Sequence, residues 1–215
     1  MPEALTTDAL MRRAPVIPVI VIERLEHAVP MARALVAGGL EVLEITLRTP
    51  VAMEAMRAII AEVEGAVVGA GTVRDPDQLA AVAKLGCTFA VSPGFTDRLL
   101  DAAADTPCAL LPGAATAAEM MTLADRGFDR QKFFPAGPAG GPGYLKAIAS
   151  PLPDIRFCPT GGISAATAHQ YLALDNVLCV GGSWVVPKSA LEIEDWTTIS
   201  RLAREAATGG RFAFG

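Results

Sequence analysis

Residues 129–137 read DRQKFFPAG, and they set Lys132 among Phe133, Phe134 and Pro135 at the end of a strand-like run. A cation in such surroundings is expensive to desolvate. The chain has only four lysines, and Lys84, Lys146 and Lys188 fall on helix-like stretches or after the last strand. An amine held neutral by an apolar mouth is a nucleophile towards ketones, so Lys132 is the candidate for a Schiff base with a carbonyl substrate. The bland alternative places Lys132 on the outer face, with its stem running past Phe133 to solvent.

A second constellation lies on LEVLEITLR (40–48). Side chains alternate along a strand, so Leu43, Ile45 and Leu47 point one way and Glu44, Thr46 and Arg48 the other. With the apolar set on the helix layer, an acid, a hydroxyl and a cation face the interior. Glu44 suits a general acid/base and Arg48 an anion-binding fork. A purely structural use would pair Glu44 with Arg48, but a buried ion pair is a poor source of stability. AGT (70–72) offers Thr72 to a carboxylate or carbonyl oxygen, or serves merely as a turn. PTGGIS (159–164) and VGGSW (180–184) end the last two strands. Their paired glycines let backbone N–H groups approach an anion, and Ser164 is placed to cap a following helix whose N-terminus favours negative charge.

These residues need a scaffold that brings strand ends together. Eight strand-like runs occur, at 16–22, 40–48, 66–71, 88–92, 108–113, 131–135, 156–161 and 176–182, and Ala/Leu-rich helical stretches separate them. Asp75, Thr96, Thr116 and Ser164 stand where N-caps belong, and Gly38, Gly86 and Gly127 where helices end. The opening TTDALMRR reads as a short capped helix, LEIEDWTTISRLAREAA as one closing helix, and 209–215 as a loose tail. This rhythm predicts a single (β/α)₈ barrel spanning 1–215, with a doubly wound open sheet as the alternative. In a barrel the βα turns share one mouth, where active sites sit.

Of the 215 residues, 52% are hydrophobic and 19% charged, which allows a large core and argues against disorder. A net charge of −5 gives no support for a nucleic-acid partner. Cys87, Cys108, Cys158 and Cys179 form no CxxC pair, and with His27 and His169 they give no zinc spacing. They read as reduced, buried cysteines of a cytoplasmic protein. APVIPVIVI (14–22) mimics a signal peptide, but two prolines and the absence of a small-residue cleavage site make it the first strand. No run reaches the length of a membrane span. Trp184 and Trp196 are expected to pack, and neither histidine is expected in the site.

Together, PVIPVIVIERLEHAVPMARALVAGGLEVLEITLRT, VGAGT, KFFPA, FCPTGGIS, LCVGGSW and LAREA resemble the 2-keto-3-deoxy-6-phosphogluconate (KDPG) aldolase family, class I aldolases of (β/α)₈ fold, over nearly the whole chain. The resemblance implies that Lys132 forms the Schiff base and Glu44 is the general acid/base. It further implies that Arg48 and Thr72 hold the carboxylate end, with Thr160, Gly161, Gly162, Gly181, Gly182 and Ser183 at the phosphate. It implies a homotrimer, no cofactor and no metal, and substrates that are phosphorylated keto acids and pyruvate, with 4-hydroxy-2-oxoglutarate as a shorter one. The alternatives are an aldolase for the galactonate epimer and a phosphate-binding barrel isomerase or synthase without covalent chemistry. After the lysine the chain departs from the family's usual PAE, reading PAGPAGGPGYLKAI with Gly137 and extra prolines.

Overall fold

The computed structural model describes residues 5–209. The parallel strands are β1 (Val16–Ile20), β2 (Val42–Thr46), β3 (Val67–Gly71), β4 (Phe89–Val91), β5 (Ala109–Leu111), β6 (Gly113–Ala114), β7 (Arg130–Phe133), β8 (Arg156–Pro159) and β9 (Val180–Gly182). The order β5-β4-β3-β2-β1-β9 forms one sheet and β6-β7-β8 another. β5 and β6 are two halves of one expected strand, 108–113, interrupted at Pro112, which has no N–H to give to a ladder. The Pro112 carbonyl still accepts from Lys132 N at 2.8 Å, so the sheet turns the corner there. At the other seam, bridges Phe157–Val177 and Thr160–Gly181 join β8 to the β9 segment. The eight expected strand positions therefore curl into a barrel. The open-sheet alternative is set aside.

Helices α2 (Ala28–Ala37), α3 (Ala52–Glu62), α4 (Pro76–Leu85), α5 (Asp97–Ala104), α6 (Ala117–Asp125), α7 (Gly141–Ile148), α8 (Ala168–Leu172), α9 (Lys188–Glu192) and α10 (Trp196–Gly209) lie outside the sheet. Their buried faces and the outward strand residues, including Leu43, Ile45, Ala90 and Phe133, form the main core. Asp75, Thr96 and Thr116 cap α4, α5 and α6 through their side chains, and Thr116 with Glu119 makes a capping box. The short helix α1 (Thr7–Met11) closes the bottom of the barrel. Its Leu10 and Met11 pack on the interior residues Ile17, Val42, Phe89, Val91, Leu111, Cys158 and Cys179. An Asp8–Arg130 pair at 2.6 Å pins it to the start of β7.

Several local expectations change. Ser164 does not cap an α-helix: its backbone N–H donates to Thr167 Oγ1 at 3.0 Å, and α8 begins only at Ala168. The expected closing helix is two helices, because Asp195 accepts from Thr198 N at 2.9 Å and starts a new one. Gly38 ends α2 with an ordinary negative φ, and the left-handed residue is Gly39. The divergent loop after Lys132 is a run of turns leading into α7, with Pro142 in its first turn and Gly140 and Gly141 at positive φ. Of the tail expected at 209–215, Gly209 is the last residue of α10 and the rest lies outside the described residues.

Candidate active site

Period-2 alternation places Lys132 in the interior. Phe133 turns outward and stacks on Tyr144 at 5.4 Å, while Lys132 lies beside Gly113 and Cys158 in the ladder. Its side chain is 5% exposed, and Nζ donates to Glu44 Oε1 at 3.2 Å across the barrel from β2. Nζ also lies 5.3 Å from the Phe134 ring centroid, a cation–π distance. The outer-face alternative for Lys132 therefore does not hold, and neither does a Glu44–Arg48 ion pair. Glu44 is 4% exposed by its side chain and its cationic partner is the lysine. Thr46, on the same face, is buried and donates to the Ile20 carbonyl at 2.9 Å, which ties β2 to β1 rather than to a ligand.

Two small residues make this pair possible. A Cβ built on Gly71 would overlap the Glu44 carboxylate and lie 2.8 Å from its Cγ, so only glycine lets that side chain cross β3. Gly113 similarly admits the Pro93 carbonyl at the mouth. Below the pair the interior is lined by Cys158 and Cys179, and Cys179 is held protonated, its pKa raised by its hydrogen bond to Cys158, by burial and by the nearby Glu44 charge.

Arg48 and Thr72 come together at the rim, where Arg48 Nε donates to Thr72 Oγ1 at 3.2 Å. Thr72 has φ 63, a conformation costly for a β-branched residue. A turn-former chosen for ease would be Gly or Asn, so the threonine at this position is held in spite of its backbone cost. Arg48 is exposed, which leaves its remaining donors free to meet an anion.

Thr160, Gly161, Gly162, Gly181, Gly182 and Ser183 also meet. Thr160 bridges to Gly181, and the Thr160 side chain fills the space a Gly181 Cβ would need. Gly161 and Gly162 have φ 99 and φ 76. Among the described residues, the N–H groups of Gly161, Gly162 and Ser183 donate to no backbone or side-chain acceptor. Three unspent amides beside two left-handed glycines form a concave donor surface suited to an anion. Gly182 makes room for the half-buried Trp184 ring, as a packing role for that tryptophan requires.

Sequence reasoning missed Phe134 and Gly71. Phe134 touches both ends, facing Lys132 Nζ and lying 3.3 Å from where a Gly161 Cβ would be. The signal for Gly71 was present in AGT, because a glycine ending a strand marks a close approach. Among the described residues no group of three or more His, Cys, Asp or Glu side chains could hold a metal. No helix of the described residues is long and apolar enough to cross a membrane.

The family model described as KDPG and KHG aldolase matches residues 7–202. The chain is 54% identical over 206 residues to the KHG/KDPG aldolase of Escherichia coli K12, covering 96% of this chain and 97% of that one. It is similar to the KDPG aldolase of Zymomonas mobilis ZM4 solved with 3-phosphoglycerate, with a TM-score of 0.91, 52% identity and 97% and 98% coverage. The KDPG aldolase of Legionella pneumophila, solved with pyruvate captured as a covalent carbinolamine, matches with a TM-score of 0.91 and 46% identity over 93% and 97% of the two chains. A barrel whose buried lysine faces a carboxylate, matched along almost its whole length, belongs to the KDPG and KHG aldolase family of lyases.

Proposed function

We propose that the chain cleaves 2-keto-3-deoxy-6-phosphogluconate to pyruvate and glyceraldehyde 3-phosphate through a Schiff base on Lys132, and that it also cleaves 4-hydroxy-2-oxoglutarate. The observation that carries this reading is the buried Lys132 Nζ–Glu44 Oε1 contact of 3.2 Å. Moving the proton from ammonium to carboxylate inside that pair leaves two neutral groups. The nucleophile is then made without creating a net buried charge.

Lys132 Nζ attacks the C2 ketone, and Glu44 gives its proton to the departing carbinolamine hydroxyl, so that water leaves, an iminium forms and Glu44 is again a carboxylate. Glu44, directly or through a water, takes the C4 hydroxyl proton. The C3–C4 bond then breaks, and its electrons move into the iminium to leave an enamine while the aldehyde departs. Protonation at C3 and addition of water release pyruvate and restore the amine. The iminium is the electron sink, and Glu44 supplies the proton transfers, which are typically worth roughly 10²–10⁴-fold. Arg48 and Thr72 hold the carboxylate of the pyruvyl end, an arrangement supported by their mutual hydrogen bond at the rim. Gly161, Gly162 and Ser183 hold the phosphate through backbone donors, and Thr160, Gly181 and Gly182 shape the loops that present them. Phe134 packs against the lysine and excludes water from it.

The same reading includes a homotrimer, which light scattering would count, and a cytoplasmic location, which four buried free cysteines support. The test of the mechanism is borohydride reduction in the presence of pyruvate, followed by peptide mapping. Irreversible inactivation with label on Lys132 alone is expected. Label on Lys84, Lys146 or Lys188, or full activity after reduction, sinks the covalent mechanism.

A further inference from the structure

A cavity of about 380 Å³ opens beside the glycine loops, between the segment after β1 and the segment after β9. Ser183 is one of its walls, so it adjoins the candidate phosphate cradle from the side away from Gly161 and Gly162. The floor is apolar, with Ile20, Ile22, Met31 and Leu191, whereas the rim carries Arg24, His27 and Lys188 together with Glu23 and Glu192. His27 stands out within it. Its side chain is 8% exposed and its ring meets Trp196 edge-on at 5.6 Å, yet Nε2 has no hydrogen-bond partner and faces Glu194 only at 3.5 Å. Glu194 does not line the cavity, so His27 contributes a wall to it and not a donor. Glu194 is itself at φ 55, one of two non-glycine residues at positive φ among those described, the other being Thr72 in the rim of the site.

The cradle offers backbone dipoles but no full charge. Arg24 is engaged by Glu26 at 2.8 Å and by Glu194 at 3.8 Å. Lys188 has only an exposed i,i+4 contact with Glu192 at 4.0 Å, a pair of little worth in water. It follows Ser183 by five residues, across a turn closed by Val186 N donating to the Ser183 carbonyl. We propose that this cavity wall is the charge-reading part of the phosphate subsite: Lys188 faces the dianion of a phosphate monoester across Ser183. Lys188 is thereby a specificity-determining residue. It discriminates phosphorylated from unphosphorylated 2-keto-3-deoxy acids by charge, while the glycines discriminate by shape.

The inference rests on the proposed phosphate cradle, and the experiment separates the two. The full chain is assayed on 2-keto-3-deoxy-6-phosphogluconate and on 2-keto-3-deoxygluconate, as wild type, Lys188→Gln and Lys188→Arg. At the roughly 8 Å of a physiological screening length, a unit charge facing a dianion in water is worth about five-fold. The phosphorylated-to-unphosphorylated ratio of kcat/KM is therefore expected to fall about five-fold in Lys188→Gln at low ionic strength. It should recover in Lys188→Arg, and the gap should close at about 0.5 M salt, where the screening length is a few ångströms. A ratio unchanged in Lys188→Gln, a loss that persists in high salt, or a loss that Lys188→Arg does not restore overturns the role of Lys188. A wild type that does not prefer the phosphorylated substrate overturns the cradle itself.

Discussion

Substituting Gly71 by alanine tests whether Glu44 works where the barrel holds it. The added methyl would lie 2.8 Å from Glu44 Cγ and 2.9 Å from Cδ, and nearer still to the carboxylate oxygen. Comfortable carbon–carbon contact needs about 3.5–4.0 Å, so the side chain must retreat by about 1 Å. The Lys132–Glu44 separation of 3.2 Å then lengthens beyond hydrogen-bond range. A displacement of that size at a reacting group costs on the order of 10²-fold, so kcat for aldol cleavage should fall about 100-fold with KM little changed. Gly71 does not have a positive φ, so the alanine brings no backbone penalty, and overpacking alone costs about 1–3 kcal/mol. The assay couples pyruvate release to a dehydrogenase, with a thermal melt to show that the protein is folded. Borohydride should still trap pyruvate on Lys132 and on no other lysine, but more slowly, because Glu44 no longer takes the ammonium proton. If the loss runs through Glu44, adding Gly71→Ala to Glu44→Gln should cost little more than Glu44→Gln alone, the non-additivity expected of groups acting as a unit. A folded Gly71→Ala enzyme with kcat within about three-fold of wild type would refute the role given to Glu44, and full additivity would refute the route.

Gly162→Ala, at φ 76 with its new methyl 3.4 Å from Gly137 Cα, should impair cleavage of the phosphorylated substrate while leaving exchange of the pyruvate methyl protons; NMR of that exchange beside cleavage kinetics would show the split, and a parallel fall of both would assign the glycine to the fold. Cys87 and Cys108 have their thiols pushed up to about 12 from 9.0, mainly by burial. The folded protein therefore keeps protons that the unfolded chain releases, so this stability is complete below pH 9 and is lost as the pH rises towards 12. Urea midpoints should fall between pH 9 and pH 10.5, and less steeply in Cys87→Ala/Cys108→Ala; equal slopes would show that the thiols do not contribute.

The residues that do chemistry were legible because each breaks a local rule. Lys132 is a charge where desolvation should forbid one, and Glu44 interrupts an apolar strand on the face that period-2 alternation turns inward. Strand identity was legible for the same reason, since buried parallel strands read as apolar runs between glycine-ended helices. What failed was the ends. Thr46 faces inward as alternation requires, yet its hydroxyl donates to the Ile20 carbonyl, because hydroxyls near strand ends are consumed by whichever backbone acceptor tertiary packing offers. Ser164 looked like a cap and instead answers Thr167, for the same reason.

The partner of Glu44 was the least legible feature, and the cause is geometric. Lys132 and Glu44 are 88 residues apart, and sequence alternation fixes only that both point inward. Whether they meet depends on barrel curvature and on what stands between them. Gly71 and Gly113 decide that, since a side chain at either position would hold the strands or carbonyls apart. Residues that act by what they lack leave no mark in charge or hydropathy. The same reasoning explains why Lys188 drew no attention in the sequence: on a short exposed helix it is an ordinary surface lysine, and only the cavity it shares with Ser183 and His27 gives its charge something to read.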